Sequence, residues 1–273
     1  MANYNLNFHE TFLPDITYLS KILLNADMID NKTKEEISGF TGIPTGKSSG
    51  KVVPHIEYLK FMNLIEYEKS KGGKFIIKRT SLGNKIIQED PYMNERITKI
   101  MINYFLTSKK FGAEMWNLIF REFPYVYGTI IDSTIVINEI EKYYGKKVKL
   151  GAFNSTYGNS NSFSDIEVLR IKDEKYEFNS LGFEYEGFYM YFYTLLAELE
   201  ALDSLRKEFT YNEIFHEIKW NIGFQWSEVD AIEVLERFES KGLISINRQL
   251  NPTTVILNVN SIDICKKIYG LLI

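Results

Sequence analysis

The chain of 273 residues has little of what staples small folds or holds transition metals. It has one cysteine, Cys265, so no disulfide can close within it. A cysteine-based zinc site needs several thiolates and is excluded on the same ground. Histidines number three: His9, His55 and His216. No apolar run reaches membrane length. Phe188 to Leu196 is nine residues, where about 20 are needed. The start, Met1-Ala-Asn-Tyr-Asn5, lacks the basic-then-apolar order of a secretory signal, so a cytoplasmic protein is expected. Arginine is scarce, 7 against 25 lysines. That bias, with abundant Asn, Ile and Tyr, fits an AT-rich genome and carries no chemistry. Positive charge is also in deficit, with a net charge of −4, which argues against a nonspecific nucleic-acid coat.

What is present is ordinary for a folded protein: 45% apolar and 25% charged residues. Aromatics reach 15%. The length suits one large domain or two to three small ones. The charge is unevenly spread. Residues 44–85 hold nine Lys and Arg (47, 51, 60, 69, 71, 74, 78, 79, 85) against Glu57, Glu66 and Glu68, a local +6. The other residues sum to −10.

Periodicity predicts a mostly helical α+β fold. Pro14 suits the first position of a helix over 14–26, with Ile16, Leu19, Leu23 and Ala26 on one face. Thr33 and Glu36 form a capping box opening a short helix that stops at Gly42. After a turn, a helix runs from about Lys51 to Asn63. Val52, Ile56 and Leu59 face inward; Lys51, Pro54 and Tyr58 are expected to point away. Two strands, 64–68 and 74–80, flank Lys69-Ser-Lys-Gly-Gly73. This order predicts a winged helix-turn-helix over residues 1–90, and Ser81 is expected to cap the helix that follows. Residues 91–205 read as a helical middle domain, with helices over 92–106, 112–120, 133–144 and 186–201. A polar loop over 151–165 and a small hairpin about Lys172 to Lys175 interrupt it. Residues 206–273 read as a winged-helix-like module. Thr210 and Ser227 are its caps. Val229, Ile232, Leu235 and Phe238 are expected inward, and a last helix spans Ser261 to Leu271.

Helix-turn-helix proteins lay their second helix in the major groove and place flanking cations on phosphates. Lys47, Ser48, Ser49, Lys51 and Tyr58 on the helix side, with Lys69, Lys71 and Lys74 on the wing, are therefore the candidate contacts to double-stranded DNA. A solvated basic face is the alternative. Residues 226–258 carry a local −2, which repels phosphate and suits a protein partner or self-association. Gly42-Ile-Pro-Thr-Gly-Lys-Ser48 falls one residue short of a phosphate-binding loop, and Pro44 removes an N–H from it. No cofactor is expected. Asp165, Asp173 and Lys175 are a faint match to a metal-dependent nuclease; a solvated turn is the favoured reading. His9-Glu10 is read as packing of the N-terminus, because adjacent residues on a strand face opposite ways. The run Phe188–Tyr193 is read as core. No catalytic residue or metal site is assigned.

Phe8-His-Glu-Thr-Phe12, the Gly42–Ser48 segment and Asp90-Pro-Tyr92 together resemble a prokaryotic domain family of unknown function. Residues 8–125 carry the resemblance well and the rest loosely. Members of that family resemble winged-helix proteins. They tend to be encoded near sulfur-transfer enzymes of the phosphoadenosine-phosphosulfate reductase type, in DNA-modification and phage-defence clusters. The resemblance implies a noncatalytic DNA-binding accessory or regulatory protein. A nuclease and a protein-interaction scaffold without nucleic-acid affinity are the alternatives.

Overall fold

The computed structural model describes residues 6–46 and 49–272. About half the chain is helical, with three small antiparallel sheets: an α+β fold.

Helix α1 (Ile16–Leu24) starts two residues later than Pro14 suggested. The Asp15 carboxylate is its cap, accepting from the Thr17 and Tyr18 N–H groups at 3.0 and 3.3 Å, so Pro14 lies outside the helix. A short α2 (Ala26–Ile29) follows. At α3 (Lys34–Thr41) the capping box forms as expected. Thr33 Oγ1 accepts from Glu36 N, Glu36 Oε2 accepts from Thr33 N, and Gly42 ends the helix at φ +70°.

Helix α4 (Val52–Phe61) departs from expectation. Its stripe of Val52, Ile56 and Leu59 is buried, but so are Pro54, His55 and Tyr58. Tyr58 does not point away. Its hydroxyl donates to Phe12 O at 2.9 Å, and its ring meets Phe8 and Trp116. Two sides of the helix are covered, one by α1 and the other by the N-terminal segment and the middle of the chain.

Strands β1 (Ile65–Lys69) and β2 (Phe75–Arg79) pair from Ile65↔Arg79 to Lys69↔Phe75. Gly73 turns the chain at φ +74°. Segment 30–32 lines the other edge of β2: Asn31 N donates to Phe75 O, and Phe75 N to Lys32 O. Helix α5 (Ser81–Glu89) is capped by Thr80 rather than Ser81. The Thr80 hydroxyl accepts from Gly83 N and donates to Asn63 O, a pairing that Ser81 does not make.

The middle of the chain holds α6 (Arg96–Leu106), α7 (Glu114–Asn117), a π-helical turn at Leu118–Glu122 and α8 (Phe123–Tyr127). Next come β3 (Ile130–Asp132) and α9 (Ser133–Tyr144). Residues 151–158, expected as loop, are helix α10 (Gly151–Gly158). Burial explains the difference: Ala152, Phe153, Thr156 and Tyr157 lie on one helical face against the core, so packing overrides a composition of Asn, Ser and Gly. Strands β4 (Leu169–Lys172) and β5 (Lys175–Phe178) form the expected hairpin, and β3 adds to β5 from far away in sequence. Helix α11 (Phe188–Leu202) buries most of its aromatic run in the core, as read.

Toward the C-terminus come β6 (Glu208–Thr210), a π-helical turn at Glu213–Glu217, and α12 (Glu228–Ser240). Strands β7 (Ile244–Asn247) and β8 (Thr254–Leu257) follow, in the sheet order β6-β8-β7. The Ser227 cap is present, but Val229 is exposed. Ala231, Val234, Leu235 and Phe238 are the buried positions. Helix α13 stops at Cys265 (Ser261–Cys265). Beyond it the backbone bonds i to i+3 (Ile268 N to Cys265 O, Gly270 N to Lys267 O), so the expected long helix tightens into turns.

Buried apolar residues from all three parts of the chain join in one cluster. Trp116 touches Phe8, His9, Tyr58 and Phe153, which ties α4 to the middle. Trp220, Phe224, Trp226 and Tyr191 form a second aromatic knot. Among the described residues, no helix is long and apolar enough to cross a membrane.

Candidate nucleic-acid interface

The hairpin β1–β2 carries the strongest local charge. Lys69, Lys71, Lys74 and Lys78 are all exposed. Among the described residues, none of the four pairs with a carboxylate within 4.0 Å. Lys69 Nζ lies 5.2 Å from the centre of the Phe75 ring. Such a cation–π contact positions the stem while leaving the amine in solvent.

Two other cations of the +6 stretch are held by carboxylates. Arg79 bonds Asp27, Asn84 Oδ1 and Leu23 O. Lys85 pairs with Glu89 at 2.7 Å. Lys60 lies over the Tyr67 ring at 5.5 Å. The structure thus divides one basic sequence into structural and free charge.

The turn before α4 is held from several sides. Lys51 N donates to Pro44 O at 2.8 Å and Gly50 N to Glu10 Oε2 at 3.1 Å. Lys34 Nζ donates to Gly46 O at 2.8 Å. Lys47 and Ser48 lie outside the described residues. Ser49 is exposed. Lys51 is half-buried, its amine 5.0 Å from the Tyr18 ring and 5.7 Å from the Phe12 ring. Tyr58, the other expected groove contact on this helix, is buried and makes no part of an outer face. The only exposed side chain of α4 is Lys60.

The Phe8–Phe12 motif closes over this turn. Phe8 packs on Tyr58, Phe61 and Trp116. His9 is buried as the sequence reading expected, and its Nδ1 accepts from Thr11 N at 3.0 Å. Glu10 provides the carboxylate on Gly50. Burial pushes the His9 imidazole down to about 4. His55 is likewise pushed down to about 4 by burial, outweighing the Lys51 carbonyl and Asp15. Its Nε2 accepts from Asp15 N and its Nδ1–H donates to Lys51 O. Both rings are neutral connectors between segments.

The carboxylates of the nuclease alternative have separate partners. Asp165 pairs with Lys99, while Asp173 lies in the β4–β5 turn beside Lys172 with 82% of its side chain exposed. Among the described residues, no group of three His, Cys, Asp or Glu side chains gathers as a metal site requires. Arg248, in the turn after β7, binds Glu236 and Glu239 of α12, leaving Glu228, Asp230 and Glu233 exposed.

One centre was not anticipated from sequence. Arg121, in the first π-helical turn, is fully buried beside Glu198 of α11 at 3.5 Å. It also donates to Tyr104 O at 2.7 Å and Ile218 O at 3.1 Å. The available signal was a carboxylate within the most apolar helix of the chain.

The fold has solved counterparts. No family model and no curated protein matches the sequence. A structure described as magnesium ion-bound SspB matches with a TM-score of 0.74 at 13% identity, covering 99% of this chain and 89% of that one. A second SspB crystal structure gives 0.73 at 14% identity, with the same coverage. The chain therefore has the SspB fold over nearly its whole length, at an identity that speaks for fold alone.

Proposed function

We propose that this chain is a noncatalytic duplex DNA-binding protein, an accessory or regulatory component of a prokaryotic DNA-modification or phage-defence system, acting in the cytoplasm. The carrying observation is the hairpin with Lys69, Lys71, Lys74 and Lys78 exposed and unpaired among the described residues. In this reading α3, α4 and the hairpin form a winged-helix module whose wing and preceding turn meet phosphates. Helix α4 does not enter the groove along its length, because Tyr58 and its neighbours are covered. Phosphate contact dominates such binding and makes it sequence-tolerant. Support also comes from the resemblance to a family found in DNA-modification clusters and from the SspB fold. The exposed acidic face of α12, with Val229 at its start, suits a protein partner or a second copy.

Electrophoretic shift of random duplex DNA over a salt series, with and without magnesium, tests this. Lys69→Glu, Lys71→Glu and Lys74→Glu together should weaken binding at least tenfold and flatten the log K against log salt slope by about 3, near 0.9 per phosphate contact. Unchanged binding by the triple variant removes the hairpin from the interface. Magnesium-dependent cleavage abolished by Asp173→Ala would establish the nuclease alternative instead.

A further inference from the structure

A polar cleft of about 280 Å³ lies where the Phe8–Phe12 motif, the start of α4 and the 155–161 segment meet. Its walls include Phe12, Tyr18, Lys51, Ser155, Asn159 and Asn161. That volume exceeds what a lone phosphate fills and lies at the lower end of small-molecule sites. Ser155 and Asn161 are exposed. Asn159 Oδ1 accepts from Asn161 N at 2.8 Å, leaving its amide N–H₂ for a ligand. Asp15, also on the wall, spends a carboxylate oxygen on the cap of α1, and the neutral His55 spends both ring nitrogens on backbone groups. The remaining lining is one ammonium, amides, hydroxyls, two ring faces, Leu13 and the second carboxylate oxygen of Asp15.

The backbone at the rim is unusual. Glu10 and Thr11 have φ of +46° and +80°. A β-branched residue at positive φ is a strained conformation, and such strain gathers at sites. Here the Glu10 bond to Gly50 and the Thr11 bond to His9 hold it. The same motif that clasps the DNA-facing turn also forms one wall of the cleft.

We propose that this cleft binds one nucleotide, presented as an unpaired or extruded residue of DNA, with Lys51 on its phosphate and the Asn159 and Asn161 amides on its base. The proposal rests on the DNA reading above. Lys51 Nζ at present lies against the Tyr18 and Phe12 rings. A phosphate offers that ammonium a charge-assisted bond stronger than either ring contact. Drawing the amine away frees the Tyr18 face for a base, since base–aromatic stacking tolerates any base.

The test compares a short duplex containing one unpaired thymidine with its fully paired form, by fluorescence anisotropy. A calorimetric titration with deoxythymidine 5′-monophosphate runs in parallel. The double variant Ser155→Leu/Asn161→Leu fills the cleft from two exposed positions outside the hairpin. Wild type should prefer the unpaired duplex by about tenfold. The double variant should lose that preference and bind the paired duplex as wild type does. Equal affinity for both duplexes with no mononucleotide binding overturns the proposal. Mononucleotide binding without preference for the unpaired duplex overturns the DNA-borne form and assigns the cleft to free nucleotide. Mononucleotide binding, lost in the double variant, with no duplex binding at all overturns the DNA reading and keeps the cleft.

Discussion

Arg121 shows what a single buried side chain can decide. Its guanidinium faces the Tyr104 ring at 4.3 Å and bonds carbonyls of α6 and of the residue after the second π-helical turn. Burial pushes the Glu198 carboxyl up, and Arg121 opposes that shift. Arg121→Met leaves Glu198 buried without its cation, so chemical denaturation should show a loss of about 3–5 kcal/mol. Arg121→Met/Glu198→Leu should recover much of it. A second prediction concerns His9 and His55, both held neutral with values near 4. Their lowered folded values mean the unfolded chain binds protons first as pH falls. The contribution of these two rings should therefore be level above about pH 6.5, fall as pH drops from there toward 4, and change no further below. The full effect is of the order of 3 kcal/mol per ring. Urea unfolding across that window, with His55→Gln as control, checks the slope. Arg121 did not announce its partners in sequence, because they lie on other segments, as does the Asp15 N–H that meets His55; His9 bonds within its own segment.

Among the elements, α4 and the β1–β2 hairpin divide what one motif was expected to do together. The apolar stripe of α4 was legible, since Val52, Ile56 and Leu59 recur at helical spacing. The opposite face was not, because spacing cannot say that a second layer covers it. Tyr58→Phe removes a hydroxyl bond to Phe12 O and should cost about 1 kcal/mol in thermal or urea unfolding. It should leave duplex affinity unchanged, whereas a groove-facing Tyr58 would show a loss. The hairpin was readable, because Gly72-Gly73 between two β-rich runs specifies it locally; its register came from the structure. Helix α10 was not, because its Asn and Ser residues mask four buried positions on one face.

The whole molecule brings the N-terminal part and the middle into one apolar cluster. Phe8, Tyr58 and Phe61 lie against Trp116, and a small cleft beside them is lined by Met115 and Tyr144. Truncation after residue 90 would bare that face of α4. The fragment should bind a hydrophobic dye and unfold with lower cooperativity than the full chain, as dye fluorescence and denaturation curves would show. A fragment as soluble and as cooperative as the full chain would mean that the contact at Trp116 contributes little.

The sequence by itself determined the α+β class, the caps at Thr33 and Ser227, the hairpins and the concentration of positive charge. These follow from neighbours within a few residues, where propensity and capping chemistry act. Only the tertiary structure decided which lysines of the basic stretch stay free, that Tyr58 is buried, and that Arg121 meets Glu198. It also decided that the Phe8–Phe12 motif clasps Gly50 at the edge of a polar cleft. Those outcomes depend on burial and partner geometry between segments 40–100 residues apart, which no local pattern encodes.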